Sequence, residues 1–168
     1  MAENTKKTEE LLLEKLTSEK ITFAAAESCT GGLICQRLTA IPGSSSAVMG
    51  GVVSYAVSVK ENVLGVKRET LERDGVVSEQ CAREMACGVR ELTGADIAVS
   101  VTGVAGPGGG TAETPVGTVC FGAAFRGVCK TYTKHFSKEL GREGIRDAAA
   151  DFAMRLALDI LENASSEK

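Results

Sequence analysis

A short apolar run, Ile21 to Ala26, breaks into the polar turn Glu27-Ser28-Cys29-Thr30-Gly31-Gly32 and re-forms as a helix-like run, Leu33 to Leu38. By periodicity this is a strand, a tight turn and a helix. The turn sets a hydroxyl, a thiol and two glycines where the free amide N–H groups of a helix start point outward. Such a turn holds an anion, or a nucleophile beside an oxyanion, in one place. A second apolar run, Ile97 to Val101, leads into the glycine-rich segment Thr102-Gly103-Val104-Ala105-Gly106-Pro107-Gly108-Gly109-Gly110. Two such turns after two strands predict one crevice at one edge of a sheet.

The remaining pattern completes that sheet. Glu9 to Leu16 reads as a first helix with Leu11, Leu12 and Leu16 on one face. Ile41 to Ser46 is a loop, Val48 to Tyr55 a second strand, and Ser58 to Leu64 a short helix. Arg68 to Gly75 is a helical turn or loop. Ser78 caps a helix that buries Met85, Val89 and Leu92 and ends near Gly94. Val116 to Phe125 and Val128 to Phe136 form a hairpin about Arg126-Gly127, and Arg142 to Leu161 is the last helix. The expected fold is α/β: a three-layer α/β/α domain with a mixed, largely parallel sheet and a C-terminal hairpin plus helix. The 168 residues read as a single domain, with flexible ends at 1–7 and 163–168.

Composition excludes several functions. A net charge of -3 and 4% aromatics, with no Trp, leave no basic, stacking surface for nucleic acid. No apolar run is long enough for a membrane span, and no apolar signal core follows the polar N-terminus, so a cytoplasmic protein is expected. The six cysteines contain no Cys-x-x-Cys spacing, and the one histidine, His135, has no ligand-like neighbours. No metal site and no cofactor are expected. Cys35, Cys81 and Cys120 lie in apolar stretches, and reduced thiols are the reading for all six.

Ser28 is the candidate nucleophile; the plain alternative is a turn or cap residue. The surrounding residues are not Gly-x-Ser-x-Gly, and His135 has no carboxylate to orient it, so a Ser-His-Asp triad is disfavoured. That leaves lysine as the base, a role requiring its pKa of about 10.4 to fall by burial or nearby cations. Lys60 is best placed, after the second strand and at the same sheet edge; a solvated helix lysine is the alternative. Tyr55 and Glu27 are the next candidates for the base. Arg142 and Arg146, spaced i, i+4, share a helix face that suits a phosphate or carboxylate, or else form a solvated pair among Glu139, Glu143 and Asp147. A thiol mechanism through Cys29 is a further possibility. The glycine segments lack the Gly-Lys-Ser/Thr ending of a P-loop, which argues against a nucleoside triphosphatase.

Several segments, in order, resemble one family. They are Ala-Glu-Ser-Cys-Thr-Gly-Gly at 26–32, Pro-Gly-Ser-Ser at 42–45, Gly-Gly-Val-Val-Ser-Tyr at 50–55, and Lys60 followed by Leu64-Gly65-Val66. Gly75-Val76-Val77-Ser78-Glu79, Thr102 to Pro107, and Pro115-Val116-Gly117-Thr118-Val119 continue the set. The chain is similar over about residues 8–162 to the CinA C-terminal-domain family, whose enzymatic members are nicotinamide mononucleotide amidohydrolases (PncC type).

The resemblance implies metal-free hydrolysis of the nicotinamide mononucleotide carboxamide to nicotinate mononucleotide and ammonia. Ser28 would be the nucleophile and Lys60 the general base. Tyr55, Thr102, Arg142 and Arg146 would bind substrate, with Thr30, Gly31, Gly32, Ser45 and Gly106 completing the set. The implied partner is a small nucleotide; a homo-oligomer, with a dimer favoured, is expected. The molybdopterin-binding-like domain of longer relatives is not represented, so its activities are not carried over. Val57 and Ser58 replace the family's Asn-Glu before the lysine, and Thr114 replaces a lysine. These departures bear on substrate preference. The alternative function is a non-catalytic nucleotide-binding or competence- or damage-associated module.

Overall fold

A computed structural model describes residues 6–166. Helix α1 (Thr8–Glu19) starts where the Glu10 carboxylate accepts the Lys7 N–H at 2.8 Å, and stops at Lys20, which is left-handed at φ 55°. It buries Leu12, Leu13 and Leu16 and leaves Leu11 exposed, one position off the expected face. Strand β1 (Phe23–Glu27) then leads through the Ser28 turn into α2 (Leu33–Thr39). A 3-10 turn at Ser44–Ser46 precedes β2 (Val48–Val53). Helices α3 (Val57–Asn62) and α4 (Arg68–Arg73) follow, then α5 (Glu79–Thr93), whose cap Ser78 accepts the Cys81 N–H at 3.1 Å. Strands β3 (Ile97–Gly103), β4 (Thr118–Phe125) and β5 (Val128–His135) and helix α6 (Gly141–Ser166) complete the chain. The last helix passes the expected end at Leu161. Of the ends expected to be flexible, 1–5 and 167–168 lie outside the described residues.

The five strands lie in the order β2-β1-β3-β4-β5. β2, β1 and β3 are parallel; β3, β4 and β5 are antiparallel, so the sheet is mixed as expected. Arg126 and Gly127, both at positive φ (49° and 79°), make the two-residue hairpin turn that matches strand twist.

Strand alternation gives the sheet two unlike faces. Phe23, Ile97, Val99, Val101, Phe121 and Phe125 pack against Leu12, Leu16, Ile34, Ile145 and Met154 of α1, α2 and α6. The opposite face is small: Ala24, Ala26 and Ala98 meet Cys81, Met85 and Val89 of α5 with Leu64 and Val66. That smallness lets α5 approach closely. A Cβ on Gly122 would lie 2.5 Å from the Ala82 carbonyl oxygen, and Ser100 Oγ donates to that same oxygen. α3 and its lysine are held on this side, above the ends of β1 and β2. Among the described residues, no helix is long and apolar enough to cross a membrane.

Candidate active site

Ser28 follows the last residue of β1, and its N–H donates to the Val101 carbonyl at 3.0 Å, which ties it to the end of β3. The chain then reverses through Gly31 and Gly32 at φ 62° and 102°, values that need glycine. Glu27 is turned beneath this reversal. Its buried carboxylate accepts from the N–H groups of Gly32, Ile34 and Cys35 at 3.0–3.1 Å, capping α2 from outside the helix. Glu27, a candidate for the base in the sequence, thus has its carboxylate committed to capping the turn. Arg146 grips the turn from behind, its Nε donating to the Cys29 carbonyl at 3.1 Å and its Nη2 to that of Thr30 at 2.9 Å. The Thr30 hydroxyl is buried and makes no hydrogen bond with the described residues.

Lys60 sits near the end of α3 and is fully buried. Its Nζ donates to the Ser28 Oγ at 2.9 Å and to the Ser54 carbonyl at 2.5 Å. Burial pushes the amine below its ordinary lysine value, while the thiols of Cys81 and Cys29 pull the other way. Cys29 is buried, and desolvation raises its thiol to about 11, so it stays protonated at neutral pH and makes a poor nucleophile.

The pair opens onto a cleft of about 280 Å³ between the ends of β1, β2 and β3. Tyr55, Thr102, Gly106 and Arg142 line it, as expected. Arg142 reaches over the rim, donating from Nη1 to the Gly106 carbonyl at 2.7 Å and from Nη2 to the Tyr55 hydroxyl at 3.0 Å. Thr102 Oγ1 donates to the Val76 carbonyl at 2.9 Å, which draws the 75–78 segment onto the cleft wall. Gly106, at φ 80°, folds the glycine segment so tightly that a Cβ there would lie 2.6 Å from Val116.

Other expected residues stand elsewhere. Arg146 shares a helix face with Arg142 but serves the turn. Thr30, Gly31 and Gly32 form the back of the turn and do not line the cleft. Ser45 is exposed in the 3-10 turn before β2, at the end of the sheet where Phe23 pairs with Val48, opposite Ser28. His135 meets the Thr118 hydroxyl at 3.3 Å on the hairpin and does not line the cleft. Sequence reasoning missed Val76, Val77 and the Ser54 carbonyl. The signals for them were the segments that carried the resemblance, Gly75-Val76-Val77-Ser78-Glu79 and Gly-Gly-Val-Val-Ser-Tyr at 50–55.

Fold and site together define a class: a three-layer α/β domain with a buried serine–lysine pair at the C-terminal ends of its parallel strands. The CinA C-terminal domain family matches residues 5–161, and the chain belongs to that family. It is 47% identical over 154 residues to a CinA-like protein of Chloroherpeton thalassium, covering 88% of this chain and 37% of that one. It is 50% identical over 116 residues to a CinA-like protein of a Thermotoga species, covering 69% of this chain and 28% of the relative. The chain thus spans well under half the length of these relatives. Among solved structures, the competence/damage inducible protein CihA from Agrobacterium tumefaciens is 40% identical with a TM-score of 0.88, over 96% of this chain and 99% of that one. A competence-damaged protein (CinA) superfamily protein from Klebsiella pneumoniae is 37% identical with a TM-score of 0.88, over 94% and 99%.

Proposed function

We propose that the chain is a nicotinamide-nucleotide amidase, deamidating nicotinamide mononucleotide through a serine–lysine acyl-enzyme. One observation carries this reading: a fully buried lysine amine 2.9 Å from the Ser28 hydroxyl, its pKa depressed by burial. In the neutral amine, one N–H stays on the Ser54 carbonyl and the lone pair turns to the Ser28 proton.

Ser28 Oγ attacks the carboxamide carbon as its proton passes to Lys60 Nζ. In this reading a backbone N–H of the turn that follows Ser28 holds the developing oxyanion. Lys60 returns the proton to the leaving nitrogen, the C–N bond breaks and ammonia departs. Water then gives a proton to Lys60 and attacks the ester; its C–O bond to Ser28 breaks, the serine is reprotonated and the carboxylate is released. A cleft below the ~300–1,000 Å³ usual for whole ligands takes the reacting ring. Ribose and phosphate extend toward Arg142 and Tyr55 at the rim. The same reading places the protein in the cytoplasm, as a single catalytic domain in a homo-oligomer, a dimer first.

Ammonia release from nicotinamide mononucleotide by the purified protein tests the proposal, with the free riboside and nicotinamide as comparisons. Release that disappears in Ser28→Ala supports it. Tight nucleotide binding without release would make the chain a binding module instead.

A further inference from the structure

The hairpin side of the molecule carries a seam that the cleft does not use. Glu79, Arg83 and Cys87 are spaced four apart on one face of α5. They run along β5, where Thr133, Thr131 and Cys129 stand opposite Cys120, Gly122 and Ala124 of β4. The seam zips in order. The Glu79 carboxylate accepts from the Thr133 and Thr131 hydroxyls at 2.9 and 2.7 Å. Arg83 Nη1 donates to the Cys129 carbonyl at 2.7 Å. Cys129 Sγ lies 4.0 Å from the Arg83 carbonyl oxygen, the oxygen that takes the Cys87 N–H in an α-helix. Cys87 is the next rung, and with Cys129 it lines a surface cavity of about 300 Å³. All six cysteines are free; Cys87 is exposed and Cys129 half-buried.

We propose that Cys87 and Cys129 form a redox-active dithiol that closes into a disulfide when it meets a peroxide. Cys87, open to solvent, attacks first: its thiolate takes one peroxide oxygen, the O–O bond breaks, and sulfenic acid and hydroxide result. The Cys129 sulfur then attacks the Cys87 sulfur, losing its proton as the S–O bond breaks and water leaves. Two thiols and one hydrogen peroxide become one disulfide and two waters. Burial, then the neighbouring Cys87 thiol, push the Cys129 thiol up to about 11, which suits the resolving role better than the attacking one. The other cysteines are shielded: Cys29, Cys81 and Cys120 are at most 5% exposed and Cys35 is half-buried. Because β5 is an edge strand with one neighbour, the bond staples the hairpin to α5. Reversible closure of this kind is the usual form of a disulfide in a reducing compartment.

The test is peptide mapping by mass spectrometry of the full chain, reduced, exposed to hydrogen peroxide, alkylated and digested without reductant. The expected result is loss of two of six thiols and a linked peptide pair holding Cys87 and Cys129, reversed by dithiothreitol. Cys129→Ser should leave Cys87 to proceed to sulfinic acid, and Cys87→Ser should keep its remaining thiols. A disulfide joining two chains through Cys87, a link such as Cys81 to Cys120, or sulfinic acid at Cys87 in the unaltered protein would overturn the proposal.

Discussion

The two halves of the cleft are built to different standards. On the Ser28 side every group that aims the chemistry is held by a shielded partner: Glu27 by three amides, the turn carbonyls by Arg146, Lys60 by Ser28 and the Ser54 carbonyl. Ser28, Lys60 and Glu27 are 8%, 0% and 1% exposed. On the rim, Tyr55 is 61% exposed, and Arg142 is exposed, bonded to the Gly106 carbonyl and the Tyr55 hydroxyl. The first half is shielded and preorganised; the second lies open to solvent, where water competes for its bonds. Faults in the first half should therefore appear in kcat and faults in the second in KM.

The sharpest way to break this contrast is at the reacting pair. Ser28→Ala should lower kcat by about 10³ or more with the fold intact. Lys60→Arg should be as damaging as Lys60→Ala, because a guanidinium cannot accept the proton. Steady-state ammonia release checks both, and a Lys60→Arg enzyme near wild type would remove the base from this position. In the unaltered enzyme kcat/KM should climb with pH through one apparent pKa below about 10.4, as the neutral amine becomes populated.

The two arginines sharpen the contrast next. Arg142→Ala should raise KM for the nucleotide by about 10- to 150-fold, or 1.5–3 kcal/mol, and leave kcat and riboside turnover steady. Arg146→Ala should loosen the Ser28 turn and lower kcat by about tenfold on both substrates, with KM little changed. The reverse pattern would show that the rim and the turn had been assigned the wrong way round.

A smaller effect belongs to stability. Lys60 is depressed in the folded state, so between that value and about 10.5 the unfolded chain binds a proton the folded chain lacks. Its contribution is complete above the unfolded pKa and is lost as pH falls toward the folded one. The Lys60→Met variant should be more stable than wild type at neutral pH, and the gap should narrow as pH rises. Urea melts of the two proteins, compared at each pH below the range where the buried thiols titrate, check this; a gap that widens with pH would reverse the sign. Smallest of all, Cys29→Ala should keep activity within about threefold, since its raised thiol is no nucleophile.

Sequence alone placed the strands, the hairpin and the meeting of Ser28 with Lys60, because both follow strand ends and parallel strands bring their ends together. It misjudged what lies around the pair. Arg142 and Arg146 share a face, but four residues shift a side chain by about 6 Å along the axis. One therefore reaches the rim and the other the back of the turn. Glu27 looked like a spare base because sequence does not reveal which amides a carboxylate faces. Ser45 belongs to a turn at the start of β2, and strand direction sends it to the far end of the sheet. Val76 and Val77 arrive through a single Thr102 bond that joins segments distant in sequence.

The group that aims the Lys60 amine is the carbonyl of residue 54, which every amino acid possesses. Its side chain has separate work: it is fully buried, and the hydroxyl donates to the Glu27 carbonyl at 3.4 Å. A designer transplanting the pair into another scaffold would have to copy the path of the backbone there, because copying the residue alone would not place its carbonyl.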